Sequence, residues 1–286
     1  MARSSTPAER VRQRRRGTPA PLPPAVEARS AEDNPLFVGS IAKCFDVLEA
    51  LNAAGRPVAL TELAALAKLE RSAVQRITHT LRTLGYLRQH PQSRAFTIAG
   101  RMLDFGHTVL ATDPVRAKAY SFLERLNTAT GETVNLMELE GHDIVYVARF
   151  PSAHAVSVDL HVGSRLPAFC TAAGRAILAH LPEAAAMALL ATAPRKAMTA
   201  HTVTDLPGLR RILVEARKLG YAFNDQEAFV GDLSVAAPLV DRSGNVVGAI
   251  NIAVPSPRWK ADDVRRGLAP KVVAAAREIG AELSSL

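Results

Sequence analysis

The sequence predicts an α+β chain of two domains, an N-terminal winged helix-turn-helix followed by an antiparallel sheet flanked by helices. Three observations carry that prediction. Three segments with helical apolar spacing and two short strand-like runs crowd into residues 36–98. The second half mixes β-branched runs with helical stretches and shows no internal repeat. The charge is lopsided: residues 1–35 hold seven arginines against four acids, residues 36–105 nine cations against five, and residues 106–286 nineteen against eighteen.

Residues 1–35 are rich in Pro, Arg, Ala and Ser and lack apolar periodicity, which reads as a disordered basic arm or a plain solvated tail. From Ser40 the pattern changes. Ile41, Cys44, Phe45, Leu48 and Leu51 fall on one helical stripe, with Ser40 as the expected N-cap and Gly55 as the stop. A second helix is expected from Thr61, its N-cap, with Leu63, Leu66 and Ala67 on the apolar side. The third follows almost at once: Ser72 and Gln75 fit an S-x-x-Q capping box, and Val74, Ile77, Leu81 and Leu84 repeat at helical spacing up to Gly85. Residues 86–88 and 94–98 read as two strands around the turn formers His90-Pro91-Gln92-Ser93, which completes a winged domain over residues 36–98.

Residues 99–112, with apolar Met102, Leu103, Phe105, Val109 and Leu110, are expected to form a linker helix, and Asp113-Pro114 opens the second domain, 113–286. There TVNLMEL, IVYVAR and VSVDLHV read as strands, GSRLPAFCT as a loop, AAGRAILAHL and a stretch near 205–218 as helices, and SVAAPLV and VVGAINIAV as a hairpin around Asp241–Asn245. A helix closes the chain.

Several function classes drop out early. No window approaches the roughly 18 apolar residues of a membrane helix, and Arg14-Arg15-Arg16 leads into Gly17-Thr18-Pro19 rather than an apolar signal core, so a cytoplasmic protein is expected. The two cysteines, Cys44 and Cys170, have no CxxC partners, and the eight histidines are scattered, so neither a disulfide scaffold, a metal site nor a cofactor is expected. There is no nucleophile elbow, Walker loop, dinucleotide glycine pattern or HExxH. GDLS at 231–234 leads into an apolar strand, where Ser234 reads as a pocket or core residue. An enzyme is the rival class, and an RNA or nucleoid binder would not need the second domain.

Cations gathered in the first third suit a chain whose N-terminal part meets a polyanion, although helix-turn-helix cores also serve protein contacts. A recognition helix brings side chains to base edges while a wing reaches phosphates or the minor groove. On the third helix Arg76 suits bidentate contact with guanine, and Gln75 suits adenine unless the cap consumes it. Arg71 and Thr80 suit phosphates, with Ser72, Ala73 and His79 on the same outer face; Arg88, His90 and Arg94 project from the wing. In the second domain Ala172-Ala173-Gly174, after Thr171, opens a helix with small residues. These either let an anionic ligand approach the helix N-terminus or let the helix pack closely on the sheet.

The segments SIAKCFDVLEAL, LTELAALAKLERSAVQRITHTLRTLGYL, FTIAGRMLDFG, GSRLPAFCTAAGRAILAHLPE and GYAFNDQEAFVGDLSVAAPLVDRSGNVVGAINIAVP, in this order, resemble the IclR family of transcriptional regulators across roughly residues 36–284. The resemblance implies a GAF-like or PAS-like effector domain, dimers or tetramers on pseudo-palindromic double-stranded DNA operators, and a small organic effector, often a carboxylate or aromatic compound. It implies effector contacts at Asn224, Ser234, Asn251 and Ala253, with Leu166 and Phe169 as apolar walls. Asn224 replaces the usual acid, Gln226 the first of two acids, and Asn251 and Ala253 a small hydroxyl pair. Losing an acid removes repulsion toward an anion and keeps a carboxylate effector in view. Arg149 and Arg165 are candidates to balance its charge, with surface roles as the plainer reading.

Overall fold

The computed structural model describes residues 34–154 and 160–283. They fall into two compact units, 34–113 and 114–283, treated separately below.

In the first unit, α1 (Gly39–Ala54), α2 (Leu60–Ala67) and α3 (Arg71–Thr83) precede the hairpin β1 (Leu87–Gln89) and β2 (Phe96–Ile98). The apolar stripes converge: Val47, Leu51, Leu63, Val74, Leu81, Leu87 and Phe96 are all buried in one core. Val58 ties the α1–α2 connection to the wing by an antiparallel bridge, exchanging N–H···O bonds of 3.0 and 2.8 Å with Phe96. The caps depart from expectation. The N-cap positions are Val38, Ala59 and Glu70, none with a side-chain cap bond, so Ser40, Thr61 and Ser72 lie inside their helices. The chain leading into each helix is held by other bonds instead. Asn34 accepts Leu36 N at 2.9 Å ahead of α1, the Val58 bridge fixes the chain before α2, and Lys68 in the left-handed region, with Leu69 N bonded to Ala64 O, makes the turn before α3. Gly55 does terminate α1 at φ 61°. After the wing, a 3₁₀ turn (Gly100–Met102) leads into α4 (Leu103–Thr112), which buries none of its residues.

The second unit is a six-stranded antiparallel sheet in the order β5-β4-β3-β8-β7-β6, formed by β3 (Thr133–Glu140), β4 (Asp143–Phe150), β5 (Arg165–Pro167), β6 (Ala222–Asp225), β7 (Asp232–Val240) and β8 (Val246–Pro255). On one face pack α5 (Pro114–Thr130), which begins with its proline as expected, and the C-terminal α9 (Ala269–Glu282). Across the other face lie α6 (Ala172–His180), then α7 (Glu183–Thr192) and α8 (Leu206–Leu219). Thr171 accepts Gly174 N at 3.2 Å to cap α6, and Asp205 accepts Gly208 N at 2.7 Å to cap α8. The β7–β8 turn is held by Asp241, whose Oδ1 accepts Ser243 N and Asn245 N, both at 2.8 Å.

Four elements differ from expectation. Residues 165–167, read as loop, form the edge strand β5, and α7 and β6 went unread. Of the expected strand VSVDLHV, residues 155–159 lie outside the described residues, while 160–162 run as loop and turn, with His161 and Ser164 hydrogen-bonded to each other.

Candidate functional site

The sheet register places the polar residues of the second unit in rows. Asn224 on β6 pairs Ser234 on β7, Ser234 pairs Ala253 on β8, and Ala253 pairs Thr133 on β3. One row along, Ala236 pairs Asn251, Asn251 pairs Asn135, and Asn135 pairs Arg149 on β4. Residues two apart share a face, so both rows point the same way. A bulge in β4 extends the arrangement: the register shifts between Leu136 and Met137, leaving Val147 as an extra residue. Ile144, Tyr146 and Arg149 therefore all stand on one face, although regular alternation would separate Tyr146 from Arg149.

That face opens on a cavity of about 300 Å³, within the range of small-molecule sites. Thr133, Asn135, Ile144, Tyr146, Arg149, Leu166, Asn224, Asp232, Ser234, Asn251 and Ala253 line it, together with Ala172 and Ala173 at the N-terminus of α6. Its polar groups are largely prearranged. Arg149 Nη1 donates to Asn135 Oδ1 at 3.0 Å, and Asn135 Nδ2 donates to Asn251 Oδ1 at 2.8 Å. Asn224 donates to Cys170 O and accepts Glu227 N at 3.2 Å. Glu132, on the cavity wall, is gripped by Arg258 and accepts Trp259 Nε1 at 2.9 Å. Burial holds the Tyr146 phenol protonated well above its usual range, with Asp232 adding to the effect and Arg149 opposing it. Burial pushes the Asp232 carboxyl up to about 7, against the pull of Arg149.

Behind the cavity sits a buried ion pair. Arg175 on α6 donates bidentately to Glu227, with Nη2 to Oε2 at 2.7 Å, and its Nε donates to Phe169 O at 2.8 Å. Glu227 also accepts Val203 N at 2.9 Å. The pair ties the start of α6, the loop before α8 and the β6–β7 loop to one another.

In the first unit, Arg71, Ser72, Gln75, Arg76, His79 and Thr80 of α3 and Ser93 and Arg94 of the wing line one open groove. Arg82 Nη1 donates to Gln89 Oε1 at 3.0 Å, and Gln89 Nε2 donates to Arg94 O at 2.9 Å, which ties helix to wing. Gln75, relieved of capping duty, faces the groove.

Residues 40–91 match the IclR helix-turn-helix domain, and residues 107–281 match the bacterial transcriptional regulator IclR C-terminal domain. The chain belongs to the IclR family. Among curated relatives it is 32% identical over 257 residues to the Pca regulon regulatory protein of Pseudomonas putida, covering 90% of this chain and 88% of that one. Among solved structures, an IclR transcriptional regulator from Alicyclobacillus acidocaldarius is 26% identical, with TM-score 0.73 over 85% of this chain and 98% of that one. The inducer-binding domain of the PobR transcription factor from Acinetobacter, a double mutant in complex with 3-hydroxybenzoic acid, is 26% identical, with TM-score 0.54 over 57% of this chain and 95% of that one. This IclR-family regulator thus couples a helix-turn-helix domain to an effector-binding domain.

Within the regulator, Leu166, Ala172, Ala173, Asn224, Ser234, Asn251 and Ala253 meet in the cavity. Three expected members stand apart. Phe169 is packed in the core beneath the sheet face. Gly174 adjoins the Ala168–Cys170 turn, where an added Cβ would lie 2.2 Å from Ala168 O, so its smallness serves packing. Arg165 is exposed and bonds Glu140 at 2.7 Å outside the cavity. In the groove, Ala73 turns aside toward Lys43 and Lys68, and Arg88 is exposed but does not line it. His90 Nδ1 accepts Ser93 N at 3.3 Å within the wing turn, and Thr80 gives its hydroxyl proton to Arg76 O at 3.0 Å. Asp232, Asn135, Tyr146 and Thr133 were missed as site residues; Asp232 lies two residues before Ser234 on one strand face, and that spacing was the available signal.

Proposed function

We propose that this regulator controls a catabolic gene cluster in response to a small aromatic acid. The observation that carries the reading is the cavity, which sets one arginine, Arg149, among amides within largely apolar walls. The neighbour bound to 3-hydroxybenzoic acid supports the same class of effector. Leu166, Ala172, Ala173, Asn224, Ser234, Asn251 and Ala253 form the walls around the ligand, and Asn224 acts by shaping the backbone there.

On the DNA side, Arg76 and Gln75 read base edges, and Arg71, Ser72, His79 and Arg94 contact the backbone. Arg88 and His90 reach flanking phosphate. The regulator works as a homodimer or tetramer on a pseudo-palindromic operator. Leu103, Phe105 and Val109 of α4, exposed at 74%, 58% and 65%, and Ile41 and Phe45 of α1 supply apolar surface for a second copy in the DNA-binding unit. The effector shifts DNA affinity only as far as it binds the DNA-bound and DNA-free forms of the regulator with different affinity.

The deciding experiment is fluorescence anisotropy on the DNA upstream of the regulator's own gene against a scrambled duplex, across a salt series, with and without benzoate and its hydroxylated derivatives. Tight selective binding that these acids alter is expected. Binding that ignores sequence and vanishes with salt overturns the operator assignment.

A further inference from the structure

The cavity holds an arginine and an acidic side chain from distant strands. Arg149 on β4 is steadied by the Asn135–Asn251 amide row, so its guanidinium has a fixed seat in the wall. Asp232 enters at the start of β7, where the backbone is pinned on both sides: its N–H donates to Phe229 O at 3.2 Å, and its carbonyl accepts Gln226 N at 2.9 Å. No hydrogen bond among the described residues reaches its carboxyl group, and the residue lines the cavity. Ile144, Leu166, Phe229 and Ala253 supply apolar wall around the same space.

We propose that the effector is a two-ended, single-ring acid. Its carboxylate meets Arg149, and a hydroxyl or amino group at its other end donates to Asp232. This rests on the reading of the cavity as the effector site and adds the second pole. An acid with no donor would dehydrate Asp232 and leave it unpaired, and a site built to accept a hydrogen bond rejects the analogue that lacks it. Asp232 thereby becomes a specificity residue: it tells benzoate from its ring-substituted derivatives.

The test is calorimetric titration of the full-length protein at about pH 8.5, where the Asp232 carboxyl has lost its proton, with benzoate, 3-hydroxybenzoate, 4-hydroxybenzoate and 4-aminobenzoate, repeated on Asp232→Leu, Asp232→Asn and Arg149→Gln. For the unaltered protein, at least one derivative is expected to bind about tenfold or more tighter than benzoate, the scale of one hydrogen bond to a charged group. Asp232→Leu is expected to bring that ratio to within about twofold by weakening the derivative and strengthening benzoate. Should the leucine variant not fold, Asp232→Asn reads the same ratio, expected to shrink. Arg149→Gln is expected to weaken all four acids together. A donor preference that survives both Asp232 variants overturns the proposal, as does binding of the acids with no preference at all, and either result leaves the carboxylate reading standing. If none of the four binds the unaltered protein, the aromatic-acid reading falls and this proposal with it.

Discussion

The two units solve opposite problems. The groove of the DNA-binding unit is built from exposed arginines on one helix and a wing, with few side-chain bonds holding them. The sensing unit buries Arg175, Asn135, Asn224, Asn251 and Glu227 and bonds each to a partner on another element. A long polymer of phosphates supplies its own counter-charge, so the reader can leave cations hydrated until binding. A small ligand brings few atoms, so its receptor must hold polar groups in position beforehand, at the cost of burying them.

Mutations should expose that contrast most sharply at the ion pairs. Glu227→Ala leaves Arg175 charged and unpaired in the interior and should cost about 3–5 kcal/mol in chemical unfolding of the effector unit. Glu62→Ala, which breaks the exposed Arg56–Glu62 pair, should leave the unfolding curve where it was. Equal effects would mean that burial is not what sets the value of these pairs.

Gly174→Ala comes next. Its methyl group would meet the Ala168 carbonyl, and the resulting displacement of α6 should cost about 1–3 kcal/mol. Because α6 carries Ala172 and Ala173 into the cavity, effector affinity should fall as well, which calorimetry would show. On the DNA side, Arg76→Ala should lose about 1–3 kcal/mol on the operator and much less on random duplex, without moving the melting temperature. Equal losses on both duplexes would make Arg76 a phosphate contact.

The smallest effect is a pH slope. The Asp232 carboxyl sits at about 7 in the folded chain against 3.8 as the ordinary value, so the native state holds a proton that the unfolded chain has released. Stability therefore falls as pH rises from about 4 to 7 and levels off above that. Asp232→Asn removes this loss, so its advantage over the unaltered protein should grow across that window and reach about 1–2 kcal/mol by pH 8, limited by the open cavity. Arg149, Tyr146 and Glu132 share the cavity and are present in both proteins, so the difference isolates Asp232.

The DNA-binding unit was legible because each helix has one wet and one dry side, and the 3.6-residue period survives in Val74, Leu81 and Leu63. Its caps were not, because Val58 and Lys68 hold the chain ahead of the helices through contacts that a linear scan does not see. In the sensing unit the hairpin and α6 were legible from turn and cap residues. Helix α7 escaped because its run of alanines gives no contrast between faces; only Ala186 and Leu190 are buried. Most of the expected cavity residues came from resemblance, and the register explains why they meet. Asp232 was lost in a strand that reads as apolar, and Arg149 looked like surface because nothing local announces the bulge.

That bulge bears on how this protein should be compared with its kin. Tyr146 and Arg149 are three apart yet neighbours on one wall because Val147 is looped out of the β3–β4 register. A descendant that lost Val147 would give up a buried side chain and the carbonyl that accepts Arg116 Nε at 3.1 Å, yet the cross-strand partners on either side could stay the same. The strand can thus gain or lose a residue over evolutionary time without rewriting its chemistry. A gap at this place in an alignment carries no news about the ligand, and equivalence among relatives is better judged by the partner across the sheet than by the column.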